Sequence, residues 1–362
     1  MTAEHLKPLT SLRFFAALWV ILFHWWPKGD FGPTPMLIQK GYLGVDLFFV
    51  LSGFILCHVY LQQAGEGRFR YGGFLWNRLA RVYPLHLATL LGVGLLAGAA
   101  AVAGMSVDGN VLSWETLPAN LLMVHAWGVT DTAGWNHPSW SISAEWFAYL
   151  SFPIFAAAAW ALRNRPVVAV LLSLGALFGG YAGYQALTGE VLTLATFAGG
   201  AVRIVPAFGF GCAVFLAVRA GALSEPRVAL GAFIASLALI AMCASLNAPD
   251  AVTVALFGPL IASLAGLASV ARNPLSAAPF VYLGEVSYSV YMICIPWQLL
   301  AVNGAQKLLG VEHLPLWAWL PLVAAIPLIA AGSYHVVEKP ARTAMKAFAA
   351  RRPRERTEPQ IA

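Results

Sequence analysis

Charged side chains are scarce in this chain. Only 10% of its 362 residues are Asp, Glu, Lys or Arg, whereas 59% are hydrophobic and the mean hydropathy is +0.72. Because soluble globular proteins carry about 25% charged residues, the composition excludes that class. Cysteine is scarce as well, and all four residues lie in apolar stretches, where they act as small apolar side chains. We therefore expect no disulfide or zinc framework, no bound metal and no tightly bound cofactor.

Long apolar runs, in contrast, recur along nearly the whole sequence. An α-helix needs about 20 such residues to cross the hydrocarbon core of a bilayer. The pattern predicts an all-α membrane protein, a single bundle of about ten transmembrane helices within residues 1–340. A basic tail over 341–362, disordered at its end, is expected to follow. The predicted spans are 9–26, 43–61, 84–105, 139–161, 166–187, 199–218, 228–246, 251–271, 281–302 and 315–337.

The positions of Lys and Arg predict the orientation of the bundle. If Lys7 is cytoplasmic and the spans alternate, the outer segments hold only Lys28, Lys40 and Lys307, as the positive-inside rule requires. Both termini are then cytoplasmic, and the protein is a multi-pass protein of the inner or plasma membrane. We attribute the net charge of +6 to this topology and not to nucleic-acid binding. Membrane lipid is an expected partner, since the tail can contact anionic headgroups.

The first span carries two ionisable residues, Arg13 and His24. Eleven positions at about 100° each place them about 20° apart on one face, with about 16 Å of helix between them. An ionisable side chain at membrane depth costs several kcal/mol and is a functional hypothesis by default. The alternative for Arg13 is that its side chain extends to the cytoplasmic surface.

The predicted topology places several polar residues near the outer surface together with His24. Asp46 begins the second span, Glu145 lies early in the fourth, Arg203 begins the sixth, and His137 precedes the fourth. For the two carboxylates the alternative is a helix N-terminal acid that complements the helix dipole. For His24 the alternative is an interfacial residue beside two tryptophans.

Six segments carry distinctive motifs in order along the chain: 9–17 with His24, 41–54, 78–84, 140–149, 287–291 and 338–340. Together these motifs resemble those of the acyltransferase-3 family of membrane enzymes. The resemblance implies a ten-span enzyme that moves acyl groups, often acetyl, from cytoplasmic acyl-coenzyme A to hydroxyls of extracytoplasmic carbohydrate. Many members carry a histidine where this chain has Cys294. A soluble hydrolase-like domain is not expected, so we expect the chain to acylate its acceptor directly or to pass the group to a separate protein partner.

The chemistry of acyl transfer to a hydroxyl needs a general base, and His24 is the candidate. The unperturbed pKa of histidine lies near neutral pH, and a neighbouring carboxylate stabilises the imidazolium that forms. We predict that His24 pairs with Glu145 or Asp46. Glu145 is preferred because its longer side chain reaches further.

The inner end of the bundle is predicted to bind the acyl donor. Coenzyme A carries phosphates, which suit guanidinium groups, and Arg78 and Arg81 lie three positions apart. Arg13, deeper in the span, is a candidate for binding a phosphate or the thioester carbonyl. The alternative for Arg78 and Arg81 is the positive-inside rule acting alone. Ser52 and Tyr288 complete the candidate binding residues, although close helix packing and an aromatic belt explain them as simply.

The outer loop over 106–138 contains Trp114, Trp127 and Trp135 but no Lys or Arg. Aromatic faces in an outer loop suit stacking on sugars, and the alternative is that these are ordinary interfacial tryptophans. The sequence therefore predicts an integral-membrane O-acyltransferase with acyl-coenzyme A as donor, acetyl being the first choice, and a glycan as acceptor. Two other functions stay open. One is a proton-coupled transporter that uses the same residues as a relay, and the other is an acyltransferase with a lipid acceptor.

Overall fold

The computed structural model describes residues 6–104, 111–130, 132, 134–270 and 273–351. Every regular element in these ranges is a helix. The α-helices are α1 (Lys7–Trp25), α2 (Met36–Gln39), α3 (Gly44–Gly65), α4 (Tyr71–Val102), α5 (Leu117–Leu121), α6 (Trp140–Leu150), α7 (Phe152–Ala161), α8 (Pro166–Thr188), α9 (Gly200–Arg219), α10 (Pro226–Ser245), α11 (Asp250–Gly266), α12 (Ala278–Trp297), α13 (Asn303–Leu309), α14 (Leu316–Ser333) and α15 (Lys339–Arg351).

Nine helical stretches of the described residues are long and apolar enough to cross a membrane. The bent pair α6 and α7 provides a tenth if it counts as one span. The prediction of a multi-pass helical protein with about ten spans is therefore confirmed. The bend of 56° falls at Ser151, two residues before Pro153. Proline has no amide hydrogen and its ring clashes with the carbonyl one turn earlier, so the helix breaks there.

Two boundaries differ from the prediction. Helix α4 begins at Tyr71, although the span was predicted from 84, so Arg78 and Arg81 lie on the helix itself. The chain after 340 continues as the helix α15 up to Arg351, which packs against α4 instead of starting a tail. The predicted disorder at the end of the tail concerns 352–362, which lie outside the described residues.

Close helix crossings hold the centre of the bundle together. Gly53 of α3 lies directly against the backbone carbonyl of Phe208 in α9, where no β-carbon would fit. Gly284 of α12 approaches the Thr10 carbonyl of α1 in the same way. Small residues allow such approaches, and packing at short distance is what associates helices in lipid, where burial of apolar surface gives no advantage. As a result α1 lies between α3 and α12, with its polar residues inside the bundle.

The periphery consists of helices that expose large apolar side chains. Leu171 of α8, Ile234 of α10 and Leu328 of α14 are 64%, 58% and 75% exposed. An apolar surface of this kind is stable only against lipid, so these helices form the outer wall. Ionisable side chains that line the interior are therefore shielded from the hydrocarbon.

Candidate active site

A cavity of about 270 Å³ lies between α1, α3, α4, α6 and α12, and we refer to it as the central cavity. Its lining combines apolar residues with a set of polar ones. Six of the eight predicted site residues belong to that set, so the fold brings together positions that are far apart in sequence. The six are Arg13, Ser52, Arg78, Arg81, Glu145 and Tyr288.

Arg13 and Glu145 provide opposite charges inside the cavity. The Ser52 hydroxyl donates a hydrogen bond of 2.7 Å to the Glu145 carboxylate, which joins α3 to α6. Glu145 and Arg13 are close enough to interact electrostatically. The Arg13 guanidinium has no hydrogen-bond partner in the ranges that the structure describes, and its donors are therefore available to a guest molecule.

Arg78 lies on α4 with its guanidinium over two aromatic rings. The distances from its central carbon to the ring centroids of Tyr60 and Tyr149 are 5.9 and 6.0 Å, within the range of cation–π contact. Its buried Nε forms no hydrogen bond with any described residue. A buried donor without a partner is costly, so Arg78 is a candidate for binding an acceptor that the described residues do not supply.

Arg81, in contrast, has a protein partner. Its guanidinium forms an ion pair with the fully buried Glu338, which also accepts a hydrogen bond of 2.9 Å from Ser289. Arg81 also lies 5.5 Å from the ring centroid of Tyr288, whose hydroxyl donates to the Val82 carbonyl at 2.6 Å. Arg81 thus connects α4 and α12 with the π-helical segment Tyr334–Glu338, which follows α14. Only part of its charge faces the cavity.

His24 lies beyond the central cavity, at the other end of α1. Its nearest ionisable neighbour is His137, at 6.3 Å between ring centroids and with the planes at 76°. Neither imidazole is hydrogen-bonded to a carboxylate within the described chain. The predicted pairing of His24 with Glu145 or Asp46 is therefore not formed, because the two carboxylates are engaged elsewhere. Both imidazoles are partly exposed and accessible to a small polar group between them.

The Asp46 carboxylate is bound by Arg203. Both side chains are fully buried, with an N–O distance of 2.6 Å and a second hydrogen bond of 3.1 Å from Nε. The Arg203 guanidinium also lies over the Trp140 ring at 4.9 Å. Two parallel hydrogen bonds of this type fix both groups firmly. The arrangement makes Asp46 a link between α3 and α9.

The lining of the cavity on the side of His137 includes the rings of Phe48 and Tyr291 together with Ser141, and we refer to these three residues as the aromatic wall. The Phe48 and Tyr291 rings meet edge to face at 6.3 Å. Ser141 donates to the Tyr291 hydroxyl at 2.9 Å, and this hydroxyl donates to the Pro138 carbonyl at 3.0 Å. Because Pro138 follows His137 directly, the hydrogen bond from Tyr291 to Pro138 also holds the backbone beside His137.

The outer loop folds inward around a second pair of histidines. The rings of His86 and His125 stack at 5.9 Å, and His125 accepts or donates a hydrogen bond of 3.1 Å to Ser139. Burial, together with the neighbouring His86, lowers the pKa of His125 to about 3 and keeps it neutral. Of the loop tryptophans, Trp127 and Trp135 donate to the backbone carbonyls of Ser143 and Ser113.

Trp114 is 68% exposed and is the loop tryptophan that presents a free surface, although its ring edge contacts Trp135 at 5.3 Å. Parts of the predicted loop, 106–110 together with 131 and 133, lie outside the described residues. Stacking of sugars on this loop stays a prediction.

A sequence profile described as an acyltransferase domain, that of the acyltransferase-3 family, matches residues 8–335. The chain belongs to this family. The match covers nearly the whole bundle and confirms the resemblance carried by 9–17, 41–54 and the later motifs. Membership of this family identifies the protein as a transferase, and the transporter alternative is not supported.

Three relatives are similar in sequence to this acyltransferase. Over 158 residues, 41% of this chain and 39% of the relative, it is 34% identical to acyltransferase MdmB from Streptomyces mycarofaciens. Over 82 residues, 23% of this chain and 40% of the relative, it is 43% identical to protein 2 in the picA locus of Rhizobium radiobacter. Over 388 residues, 94% of this chain and 55% of the relative, it is 24% identical to the putative peptidoglycan O-acetyltransferase YrhL from Bacillus subtilis (strain 168).

The chain thus spans between 39% and 55% of the length of these relatives. No solved structure matches it.

Sequence reasoning did not single out Tyr149, Tyr291 and Ser141 as members of the acyltransferase cavity, although they stand in its motifs. It also missed the ion pair between Arg81 and Glu338. The signal for the latter was present, since a carboxylate directly after the last predicted apolar span, 315–337, is expected to need a cationic partner. The identity of that partner depends on how α4 and α14 lie beside each other, which hydropathy does not encode.

Proposed function

We propose that the enzyme transfers an acyl group, acetyl being the first choice, from cytoplasmic acyl-coenzyme A to a hydroxyl of an extracytoplasmic glycan. His24 is the general base in this proposal, both termini are cytoplasmic, and the protein resides in the inner or plasma membrane. The observation that carries it is the convergence of Arg13, Arg78 and Glu145 on one cavity within a member of an acyltransferase family.

The cavity supports the donor side of the proposal. Arg78 offers unpaired guanidinium donors at a wall lined with tyrosines, which suits the phosphate-bearing end of the thioester. Arg13 offers free donors further inside, where the amide or thioester carbonyl of the pantetheine arm would lie. Glu145, bonded to Ser52, positions Arg13 in this scheme and does not act as the partner of His24.

The reaction then takes place beyond the aromatic wall. In the proposed step the acceptor oxygen forms a bond with the acyl carbon while the carbon–sulfur bond breaks. His24 takes the hydroxyl proton, and the proton finally reaches the coenzyme A thiolate. Phe48 and Tyr291 line the cavity on the side of His137, and in this proposal the thioester passes them to reach His24. The acceptor hydroxyl is placed between His24 and His137, which approach each other without a direct contact.

A transfer assay on the purified protein tests the proposal. We expect the wild-type enzyme in liposomes to release coenzyme A from labelled acetyl-coenzyme A when polysaccharide or lipid-linked glycan is supplied, and to label that glycan. The His24→Ala variant should lose at least a hundredfold in rate, since a positioned general base contributes about 10²–10⁴-fold. Coenzyme A release and label transfer are measured together.

The matched control is His335→Ala, because His335 is an exposed histidine outside the central cavity, with contacts to Tyr282 and Tyr334. This variant should retain the wild-type rate. Full activity of a folded His24→Ala protein would remove His24 as the base. Label recovered only in membrane lipid would replace the glycan with a lipid acceptor.

A further inference from the structure

Four cationic side chains gather where α15 packs on α4, and we refer to them as the cationic cluster. Arg78 and Arg81 come from α4, and Arg342 and Lys346 come from α15. Arg342 approaches the same Glu338 carboxylate that Arg81 binds, at 3.8 Å. Lys346 lies one turn further on and is close enough to Arg342, Arg78 and Arg81 to be repelled by all three. The cluster therefore adjoins the central cavity through Arg78 and Arg81.

The charges of the cluster are not balanced. Glu338 is the carboxylate that bonds to it, and this single group is shared between Arg81 and Arg342. Arg78 and Lys346 form no ion pair with any residue in the described ranges. Like charges held together are unfavourable unless an anion joins them. A surplus of several positive charges at one point indicates a ligand with more than one negative charge.

The position of α15 is also fixed by contacts other than ion pairs. The Trp76 indole donates a hydrogen bond of 2.8 Å to the Met345 carbonyl, and its ring lies 6.1 Å from the Phe348 ring. The Arg342 guanidinium also packs over the Tyr334 ring at 5.9 Å. These contacts hold the two basic residues of α15 beside Arg78. The packing of α15 on α4 therefore keeps these like charges close together although they repel each other.

The size of the central cavity shows where such an anion would lie. Sites that enclose a small molecule measure about 300–1,000 Å³, and the cavity of about 270 Å³ falls just below this range. It can take a narrow arm of the donor but not a nucleotide. The nucleotide and its phosphates must then remain outside, next to Arg78, where α15 forms the adjacent surface.

We propose that α15 is part of the donor site, and that Arg342 and Lys346 together with Arg78 bind the phosphates at the nucleotide end of the acyl donor. The inference rests on the proposed use of acyl-coenzyme A. It adds a second helix, outside the predicted motifs, to the residues that select this donor. The same phosphate chemistry occurs in anionic lipid headgroups, and the experiment below separates the two sources.

Binding of unacylated ligands tests the inference without relying on catalysis. Titration calorimetry on the full-length protein in neutral detergent is carried out with coenzyme A, with 3′-dephospho-coenzyme A and with pantetheine. We expect the double variant Arg342→Gln/Lys346→Gln to bind coenzyme A about tenfold more weakly or worse, since charge-assisted hydrogen bonds are lost. Pantetheine, which has no phosphate, should bind both proteins equally.

Two further variants make the test specific. Lys346→Gln alone removes an exposed side chain without a bond to the protein, so it keeps the fold if the double variant does not. It should also weaken coenzyme A binding, by a smaller factor. Arg351→Gln is the matched control, because nine positions at about 100° place Arg351 about 180° from Arg342 on the same helix. It should bind coenzyme A as the wild type does.

Each outcome decides the inference. Equal affinity of the wild type and the Lys346→Gln variant for coenzyme A overturns it, and so does an equal loss in Arg351→Gln. If coenzyme A binding is unchanged but the variants no longer sediment with phosphatidylglycerol vesicles, the cluster binds lipid and the inference is wrong. Absence of coenzyme A binding by the wild type overturns the proposed donor and this inference together. Cluster-dependent binding without acyl transfer to any glycan supports the inference and contradicts only the proposed acceptor.

Discussion

At the scale of single residues, the charges inside this bundle fall into two kinds. Asp46 and Arg203 form a buried ion pair, whereas Arg13 and Arg78 line the central cavity without a hydrogen bond or ion pair to any described residue. A charge buried with its partner contributes to the fold, and an ionisable group in a membrane bundle without a partner is a candidate for ligand binding. By this criterion we expect Asp46 to stabilise the protein and the two arginines to bind substrate.

Removal of one member of the buried pair therefore affects stability. We expect Asp46→Ala to lower the free energy of unfolding by about 3–5 kcal/mol, because Arg203 is left with an uncompensated buried charge. The double variant Asp46→Leu/Arg203→Met should recover most of this loss, since two apolar groups need no partner. The measurement is the thermal unfolding midpoint in detergent, followed by tryptophan fluorescence.

Asp30→Ala is the control for this experiment, as the Asp30 side chain is exposed and forms no ion pair with the described residues. It should unfold as the wild type does. An Asp46→Ala protein with normal stability but no transferase activity would instead assign Asp46 to the chemistry.

The residue scale also shows what the sequence could not provide. Positions along each span predicted that His24, Asp46, Glu145 and Arg203 lie at a similar depth. Glu145 does not lie beside His24, since its carboxylate bonds to Ser52 in the central cavity near Arg13. For the other residues, depth alone leaves the rotation of every helix and the order of neighbours undetermined. The imidazole consequently meets His137, and the carboxylate of Asp46 meets Arg203. Pairing depends on packing between helices, and the hydropathy of a single span contains no information about it.

At the scale of the helices, the crossing of α3 and α9 is the tightest constraint near the site. Gly53 neighbours Ser52, which binds Glu145, so displacement of α3 at this point would move the cavity wall. Gly211 of α9 approaches the Val50 carbonyl in the same crossing. The pair of glycines therefore sets the distance at which Ser52 and Glu145 meet.

A β-carbon at the crossing is expected to force the helices apart. Gly53→Ala should cost about 1–3 kcal/mol of stability, as overpacking does, and should reduce transferase activity as well. The control is Gly175→Ala on α8, where the added carbon meets open space. Alanine favours a helix over glycine by about 1 kcal/mol, so Gly175→Ala should be as stable as the wild type or more so. A Gly53→Ala protein with an unchanged unfolding midpoint would contradict the close approach.

Helix ends were the least predictable elements. Hydropathy predicted that the third span begins at 84, because the arginines at 78 and 81 lower the mean hydropathy of the preceding residues. The structure shows that this turn is helical and that its cations face the cavity and Glu338. For the same reason, the sequence predicted a basic tail over residues that form most of α15. A basic segment is unfavourable in lipid, but it forms a helix readily when a tryptophan on α4 provides a surface for packing.

At the scale of the whole molecule, composition alone predicted an all-helical membrane bundle and nearly the correct set of spans. Apolar length is a strong signal because lipid provides no partner for a free backbone group. The orientation of the bundle follows from the basic residues and stays a prediction. It implies that Lys307 and Arg351 lie on opposite sides of the membrane.

Labelling of single cysteines tests this orientation. In a background without the four native cysteines, Lys307→Cys should react with a membrane-impermeant maleimide in intact cells. Arg351→Cys should react only after permeabilisation, since the positive-inside rule places it in the cytoplasm. Each variant is assayed for expression alongside its parent. The reverse labelling pattern would invert the topology and move the proposed donor site to the outer surface.

The aromatic wall of Phe48, Ser141 and Tyr291 has a consequence for the cell that contains this protein. A bundle with a continuous hydrated passage would conduct protons and sodium, and it would dissipate the gradients that drive respiration and nutrient uptake. Under the proposed function, the edge-to-face contact of Phe48 and Tyr291 would keep the donor and acceptor compartments without an aqueous connection. Opening would then be required only for the instant at which an acyl group crosses, so that the glycan could be modified while the ion gradients persist.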